Sequence, residues 1–166
     1  MRGCSHERAV PLLLAGAVGL LTGCGSVTVP ADVDGTLDRA TDGTLVVGVS
    51  EHPPWVDIDE NTGEVSGIEA DLIASFAESI NAEVQWQPGP ESVLAGQVEE
   101  GAVDIVVGGL TTSSPWSSHL ALTRPYATVT SAGGREEQMV MGVRMGENEL
   151  LVELEKHLAR EQGEVS

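Results

Sequence analysis

An α/β domain built on a parallel sheet is the fold class that the sequence predicts. Two short apolar runs rich in β-branched residues, 44–50 (TLVVGVS) and 103–108 (VDIVVG), have the composition of buried strands. Two stretches with helical spacing and a third short strand lie between them. The resulting order of strand, helix, strand, helix and strand is a βαβαβ unit, which gives a parallel sheet with right-handed crossovers.

The elements between these two strands can be assigned in order. Residues 66–80 carry apolar side chains at helical spacing, and Ser66 and Glu69 have capping-box spacing, which predicts a helix that begins at Ser66. Residues 82–86 are a predicted strand, and residues 91–100 are a predicted helix that ends at Gly101. Because ligands lie beyond the C-terminal ends of parallel strands, we expect segments 51–55 and 109–116 to share one edge.

The pattern changes after Tyr126. Residues 127–131 and 138–144 are predicted strands on either side of a turn at Gly133 and Gly134. Residues 147–160 are a predicted helix with four leucines on one face, at positions 150, 151, 154 and 158. The sequence therefore predicts that the parallel unit is completed by a C-terminal hairpin strand and a helix.

The N-terminus has the features of a secretory signal. Arg2 and Arg8 precede an apolar run over residues 9–21, and residues 21–24 read LTGC. This string resembles the lipobox of bacterial lipoproteins, which implies cleavage before Cys24 and lipidation of that cysteine. The alternatives are a plain signal and an uncleaved membrane helix. The run is too short for the helix, because spanning a membrane takes roughly 20 apolar residues. We predict a signal peptide over 1–23, a flexible tether over 24–43 and one lobe over 44–166.

Charge and cysteine content exclude several functions. The net charge of −18 repels nucleic acid and anionic lipid, so we expect no nucleic-acid partner and a membrane contact through lipid alone. The two cysteines are Cys4, inside the signal, and Cys24. They leave no disulfide and no Cys/His metal cluster, and we expect neither a metal nor a cofactor. The acidic stretch at 57–63 fits a turn better than a calcium loop, because Ile68 stands where a bidentate glutamate is needed.

Four motifs between residues 45 and 126 together resemble one protein family. They are the strand LVVGVS followed by Pro53-Pro54-Trp55, the helix start GIEADL at 67–72, the string GAVDI at 101–105 leading to GLT at 109–111, and Pro125-Tyr126. Their order and spacing are similar to those of the family 3 bacterial solute-binding proteins, the extracytoplasmic receptors of polar amino-acid ABC transporters. The resemblance implies a type II periplasmic-binding fold.

The resemblance also implies a function and a site. We expect a lipid-anchored substrate-binding protein on the outer face of the bacterial cell membrane, or in the periplasm, that serves an ABC permease. The ligand-binding residues would come from the two segments named above, and they are Glu51, Trp55, Gly109, Thr111, Ser113 and Trp116. Family members usually have an arginine where this chain has Trp116, and that arginine holds the ligand carboxylate. Trp55 and Trp116 could instead form an aromatic clamp for an apolar, sugar-like or cationic ligand.

A second departure from the family concerns size. Members pass into a second lobe after the Pro-Tyr motif, but here residues 139–158 already resemble the C-terminal return, and only residues 133–138 separate the two. We therefore predict a single lobe, in which 44–126 is the N-terminal part and 127–166 holds the hairpin and the return helix. One lobe leaves half of a ligand in water, so we expect weak binding or none.

Two other functions stay open. A lobe that has lost its partner lobe and its arginine could be a non-binding remnant or a protein-interaction module. An enzyme is the other alternative, because a few proteins of this fold are dehydratases that act on small acids. We expect no enzyme, since a half-cleft excludes water poorly. The neighbouring Ser117, Ser118 and His119 lack the spacing of a known nucleophile motif.

Overall fold

The computed structural model describes residues 31–131 and 133–163 of the chain. The helices are α1 (Thr36–Ala40), α2 (Ile68–Ser79), α3 (Glu91–Glu99) and α4 (Asn148–Gln162), with a 3-10 helix at Pro115–Ser118. The strands are β1 (Thr44–Val49), β2 (Asp57–Ile58), β3 (Val65–Ser66), β4 (Glu83–Pro88), β5 (Ile105–Val107), β6 (Leu120–Leu122), β7 (Ala127–Thr130), β8 (Glu136–Met139) and β9 (Gly142–Arg144).

Five strands form the main sheet in the order β4-β1-β5-β9-β6. Strand β1 pairs in parallel with both β4 and β5, so that Val47 lies opposite Trp86 on one side and Ile105 on the other. Strand β9 runs antiparallel to its two neighbours, β5 and β6. This sheet confirms the α/β class and the parallel βαβαβ core of a single lobe.

The sheet separates two apolar clusters, and helices cover both of its faces. One cluster joins alternate residues of β1 and β5 to the apolar faces of α2 and α4, and Phe76, Ile73 and Leu154 are fully buried there. The other cluster joins Val106 of β5 to Leu94 and Val98 of α3. Because successive strand residues point to opposite faces, a short run such as IVV supplies both clusters. The result is a helix–sheet–helix sandwich.

The hairpin expected after Tyr126 is present, and its details differ from the prediction. Strands β7 and β8 pair antiparallel as a separate two-stranded sheet. The predicted strand at 138–144 is two strands, because the amide of Val140 donates to the carbonyl of Leu110 and the amide of Met141 donates to the hydroxyl of Thr123. Because of these contacts with loops, the chain leaves its pairing with β7 after β8 and begins to pair with β5 and β6 at β9. Strand β6, which sequence patterning missed, then pairs with β9 at the sheet edge.

The predicted tether differs from the structure over its C-terminal part. Residues 36–40 form α1, and the Asp32 carboxylate accepts hydrogen bonds from the amides of Glu149 and Leu150 at the start of α4. The segment from residue 32 to residue 43 is thus part of the folded lobe, held by contacts with the far end of the sequence. The predicted signal peptide and Cys24 lie outside the described residues. No helix within the described ranges is long and apolar enough to cross a membrane.

Candidate functional site

Strands β1 and β5 end side by side, and the two segments expected to form a site leave from this edge. The Ser50 amide donates to the Val107 carbonyl at 3.0 Å, and the segments 51–55 and 109–116 follow. Gly109 has a φ of +72°, and a Cβ there would lie 2.9 Å from Cγ of the His52 ring. Only glycine therefore lets the two segments approach this closely. We call segments 51–55 and 109–116 together the rim.

A buried carboxylate fixes the base of the rim. Glu69 lies in the first turn of α2 and is fully buried. Its Oε2 accepts hydrogen bonds from the amides of Gly108 at 2.7 Å and Gly109 at 2.9 Å, and its Oε1 accepts one from the Tyr126 hydroxyl at 2.6 Å. One side chain thus joins α2, the start of the second rim segment and the point where the chain enters the β7–β8 hairpin.

The electrostatic environment of Glu69 is unusual for a carboxylate. Burial raises its pKa, while the hydrogen bonds from Tyr126 and the two glycine amides act in the opposite direction. Burial and the neighbouring carboxylate raise the pKa of the Tyr126 hydroxyl, which stays a donor. The capping box predicted for Ser66 and Glu69 is wrong, because Ser66 belongs to β3 and the Glu69 side chain turns into the lobe.

The two rim tryptophans pack on opposite faces of the sheet. Trp55 is half-buried against the cluster of α2 and α4, with its ring edge-on to Tyr126 at a centroid distance of 6.3 Å. Trp116 lies in the 3-10 helix and packs against the cluster of α3, and its indole N–H donates to Glu91 Oε2 at 2.7 Å. The expected aromatic clamp between Trp55 and Trp116 is therefore wrong, because α3 holds one of the rings.

The other predicted ligand-binding residues lie at the rim with different exposure. Glu51 is exposed two residues after the end of β1. The hydroxyls of Thr111 and Ser113 lie 2.9 Å apart, and the Thr111 amide donates to the Ser114 hydroxyl at 3.0 Å. These groups give the second rim segment a polar surface that faces solvent.

Two other sequence features have local structural roles. Asp59 Oδ1 accepts the amides of Asn61 and Thr62 in the turn between β2 and β3, and the hydrogen bond from Thr62 lowers the pKa of Asp59. His119 is exposed and its Nδ1 lies 3.0 Å from Glu99. Within the part of the chain that the structure describes, no three His, Cys, Asp or Glu side chains are grouped to hold a metal ion.

Sequence reasoning missed Glu69 and Tyr126 as members of the site. Both stand inside the family-like motifs at 67–72 and 125–126, but these motifs do not indicate that the two side chains are in contact. They are 57 positions apart in the sequence, so no local pattern reveals their hydrogen bond. Glu69 lies on the apolar side of the predicted helix. A charged residue at such a position indicates a buried carboxylate, which needs hydrogen-bond partners.

Comparison with known proteins gives the same fold and one family. The family described as "Bacterial extracellular solute-binding proteins, family 3" matches this chain over residues 45–164. Similar structures include the arginine-bound form of domain 1 of the T. maritima arginine-binding protein, with 26% identity, a TM-score of 0.64 and coverage of 74% of this chain and 97% of that one. An ancestral cationic amino acid solute-binding protein has 17% identity, a TM-score of 0.64 and coverage of 75% and 93%. Comparison with curated proteins gives no match.

Proposed function

Because the chain belongs to the family 3 bacterial extracellular solute-binding proteins, we propose that it is the solute receptor of an ABC transporter. In this proposal, lipid on Cys24 holds the protein outside the cytoplasm, and the rim binds a small solute that a permease then takes up. The observation that carries the proposal is the meeting of the two rim segments at the C-terminal strand ends, above the Glu69 contacts. This is the edge at which α/β sheets bind ligands.

The charge of the rim favours a solute with a cationic group. The residues from 50 to 56 and from 108 to 119 include Glu51 and contain neither arginine nor lysine. A ligand carboxylate therefore has no guanidinium partner in these segments, whereas an ammonium or guanidinium group has Glu51 and the half-buried ring of Trp55. The net charge of −18 also attracts cations over longer distances.

A single lobe is compatible with solute binding in a related protein. The T. maritima structure is an isolated domain 1 in its arginine-bound form. We therefore propose that this lobe binds a solute without a second lobe. Because an open half-site buries less of the solute, we expect an affinity below that of a closed two-lobed receptor.

The test is a ligand-binding screen of the full chain in detergent. The proposal predicts that L-arginine or putrescine raises the midpoint of thermal unfolding and that L-glutamate does not. At a ligand concentration of 100 times Kd, the stabilisation is about 2.7 kcal/mol. Trp55→Ala and Glu51→Gln should each weaken binding, and Glu153→Gln on the exposed side of α4 should not. If none of a panel of amino acids, amines and sugars shifts the midpoint at high concentration, the proposal is wrong.

The lipid anchor has its own test. The proposal predicts that the wild-type protein partitions with membranes and that its N-terminal cysteine carries a thioether-linked diacylglycerol, detectable by mass spectrometry. Cys24→Ala should release the protein from the membrane fraction, whereas Cys4→Ala should not. A Cys24→Ala protein that stays membrane-bound would contradict the anchor and leave the solute-binding proposal intact.

A non-binding interaction module is the second candidate. Trp116 favours it, because the side chain at the family's arginine position bonds to Glu91 and packs on α3. This candidate predicts that the protein is folded and that no small molecule in the screen above shifts its midpoint of thermal unfolding.

A further inference from the structure

A shallow pocket lies between the rim and the β7–β8 hairpin. Its volume is about 490 Å³, which is within the range of small-molecule pockets. Both sides of it are polar. The rim contributes Thr112 and Ser113, and the hairpin contributes Thr128, Glu136, Glu137 and Gln138.

Backbone pairing holds the two sides of the pocket in a fixed relation. Thr111 forms an antiparallel bridge with Met139, and the Thr112 amide donates to the Gln138 carbonyl at 3.0 Å. On its other side, Gln138 lies opposite Thr128 in the hairpin. The rim segment is thus paired with β8 at one bridge, and the two sides of the pocket are joined through their backbones.

Strand register places four of the pocket side chains, Thr112, Thr128, Glu136 and Gln138, on one face. Residues opposite each other in an antiparallel pair project to the same side, and so do residues two apart along a strand. Thr112, Gln138 and Thr128 therefore form a row across three paired segments, and Glu136 lies next to this row on the same face. The opposite face of the hairpin carries Glu137 together with Ala127, Val129 and Met139, and these three apolar residues pack on the core.

We propose that the β7–β8 hairpin supplies the second wall of the solute site, with Glu136 as the partner of an ammonium or guanidinium group. This inference deepens the proposed function and rests on it. The wall that a second lobe would otherwise provide is replaced by a hairpin of fewer than twenty residues paired directly to the rim.

The groups around Glu136 match a cationic head with several N–H donors. An ammonium has three donors and a guanidinium has five, and neither has an acceptor. The pocket offers the Glu136 carboxylate, the Gln138 amide oxygen and the Thr112, Ser113 and Thr128 hydroxyls as acceptors. A carboxylate-bearing group would meet the Glu136 carboxylate instead, and like charges repel. The expected solute is therefore a diamine or a guanidine compound whose second polar group reaches the rim.

The test measures binding of putrescine and L-arginine to charge-matched variants of the full chain. Glu136→Gln should weaken the affinity for both probes about fivefold to tenfold, as expected for a lost charge-assisted hydrogen bond at an exposed site. Adding Glu137→Gln, on the opposite face of β8, should weaken it little further. The control is Glu60→Gln with Glu64→Gln, which removes two exposed charges from the turn between β2 and β3. It should change the affinity less than twofold.

The outcomes separate this inference from the proposed function. If wild type binds a probe and the Glu136 variants lose no more affinity than the control, the hairpin wall is wrong and the rim site stands. If wild type binds none of the solutes in the screen, the proposed function fails and this inference fails with it. Amide chemical-shift changes at Thr112, Ser113 and Gln138 on addition of putrescine would support the wall. Changes confined to Glu51 and Trp55 would overturn it.

Discussion

The two ends of the parallel strands each hold a buried carboxylate, and these two groups behave differently. At the rim, Glu69 accepts the amides of Gly108 and Gly109. At the opposite edge, Glu147 accepts the amides of Asp34 and Thr36, both at 3.0 Å. Both glutamates are almost fully buried. The pKa of Glu69 is nevertheless raised and that of Glu147 is lowered.

Burial is the largest influence on the pKa of both groups, and it decides the direction only at Glu69. Burial opposes ionisation of Glu147 too, but the hydrogen bonds from Thr36 and Asp34 and the charge of Arg144 lower its pKa. Glu69 has its hydrogen bonds and the nearby His52, without an arginine or lysine in the rim segments. The buried glutamate at the edge away from the rim therefore has an arginine beside it, and the rim segments contain none.

The change with the largest expected effect on stability is removal of the Glu69 carboxylate at the rim. Glu69→Ala leaves the buried Gly108 amide, the partly buried Gly109 amide and the Tyr126 hydroxyl without their acceptor, and each buried group left unpaired costs about 1–3 kcal/mol. We expect a loss of about 3 kcal/mol or more in the free energy of unfolding, measured by urea titration with tryptophan fluorescence.

Tyr126→Phe is the matched control for this change. It removes one hydrogen bond and keeps the ring packed on Trp55, so we expect a loss of about 1 kcal/mol. A Glu69→Ala protein as stable as the Tyr126→Phe protein would show that water replaces the carboxylate easily. The rim would then not depend on Glu69.

The second test concerns the edge away from the rim, where residue 32 holds the N-terminal segment. Asp32 Oδ1 accepts the amides of Glu149 and Leu150, and Oδ2 accepts the amide of Leu37 at 2.9 Å. Asp32→Ala should therefore cost about 1–2 kcal/mol, as for loss of a helix cap. Hydrogen exchange should become faster in α1 and at the start of α4. Asp38→Ala, an exposed change in α1, should have little effect. Unchanged exchange in α1 would contradict this assignment.

These two edges also show what the sequence could predict. Strands β1 and β5 and helices α2 and α3 were predicted because each has an apolar pattern of its own, and Gly133 and Gly134 marked the hairpin turn. Helix α1 was missed because its segment is polar and is held through Asp32 by residues 117 positions away. The tryptophan clamp was wrong for a similar reason. Nothing near Trp116 in sequence indicated that Glu91 binds its indole.

The third test uses pH to separate the two carboxylates. The pKa of Glu147 is lower in the folded state than its ordinary value of 4.5. The ionised form is therefore stabilised by folding, and this stability is present above pH 4.5 and lost as pH falls through the folded value. Glu147→Gln should cost about 1 kcal/mol at pH 7, and the difference from wild type should shrink below pH 4.5. A difference that stays constant with pH would show that the charge of Glu147 contributes nothing.

Glu69 should have the opposite pH dependence. Its folded pKa is raised, so the folded state binds more protons than the unfolded state just above pH 4.5. Stability from this group should therefore increase as pH falls through that window. Glu69→Gln should lose this increase, and its stability profile measured by urea titration should fall more steeply toward acid than that of wild type. Parallel profiles for the two proteins would contradict the raised pKa.

The smallest expected effect lies between the helices on one face of the sheet, and it sharpens the contrast between the two edges. His157 of α4 is buried, its Nε2 lies 2.8 Å from the Ser75 hydroxyl of α2, and burial lowers its pKa despite Glu161 nearby. Its neutral form is favoured by folding, so the stability is present above about pH 6.5 and lost as pH falls. His157→Gln should flatten the dependence of the free energy of unfolding on pH between pH 7 and pH 5. The size of this effect should be smaller than the loss of stability expected for Asp32→Ala. Because this pair lies away from both edges, the solute affinity at the rim should not change with pH in the same way. If the affinity did follow the titration of His157, α2 would transmit the protonation of His157 to Glu69.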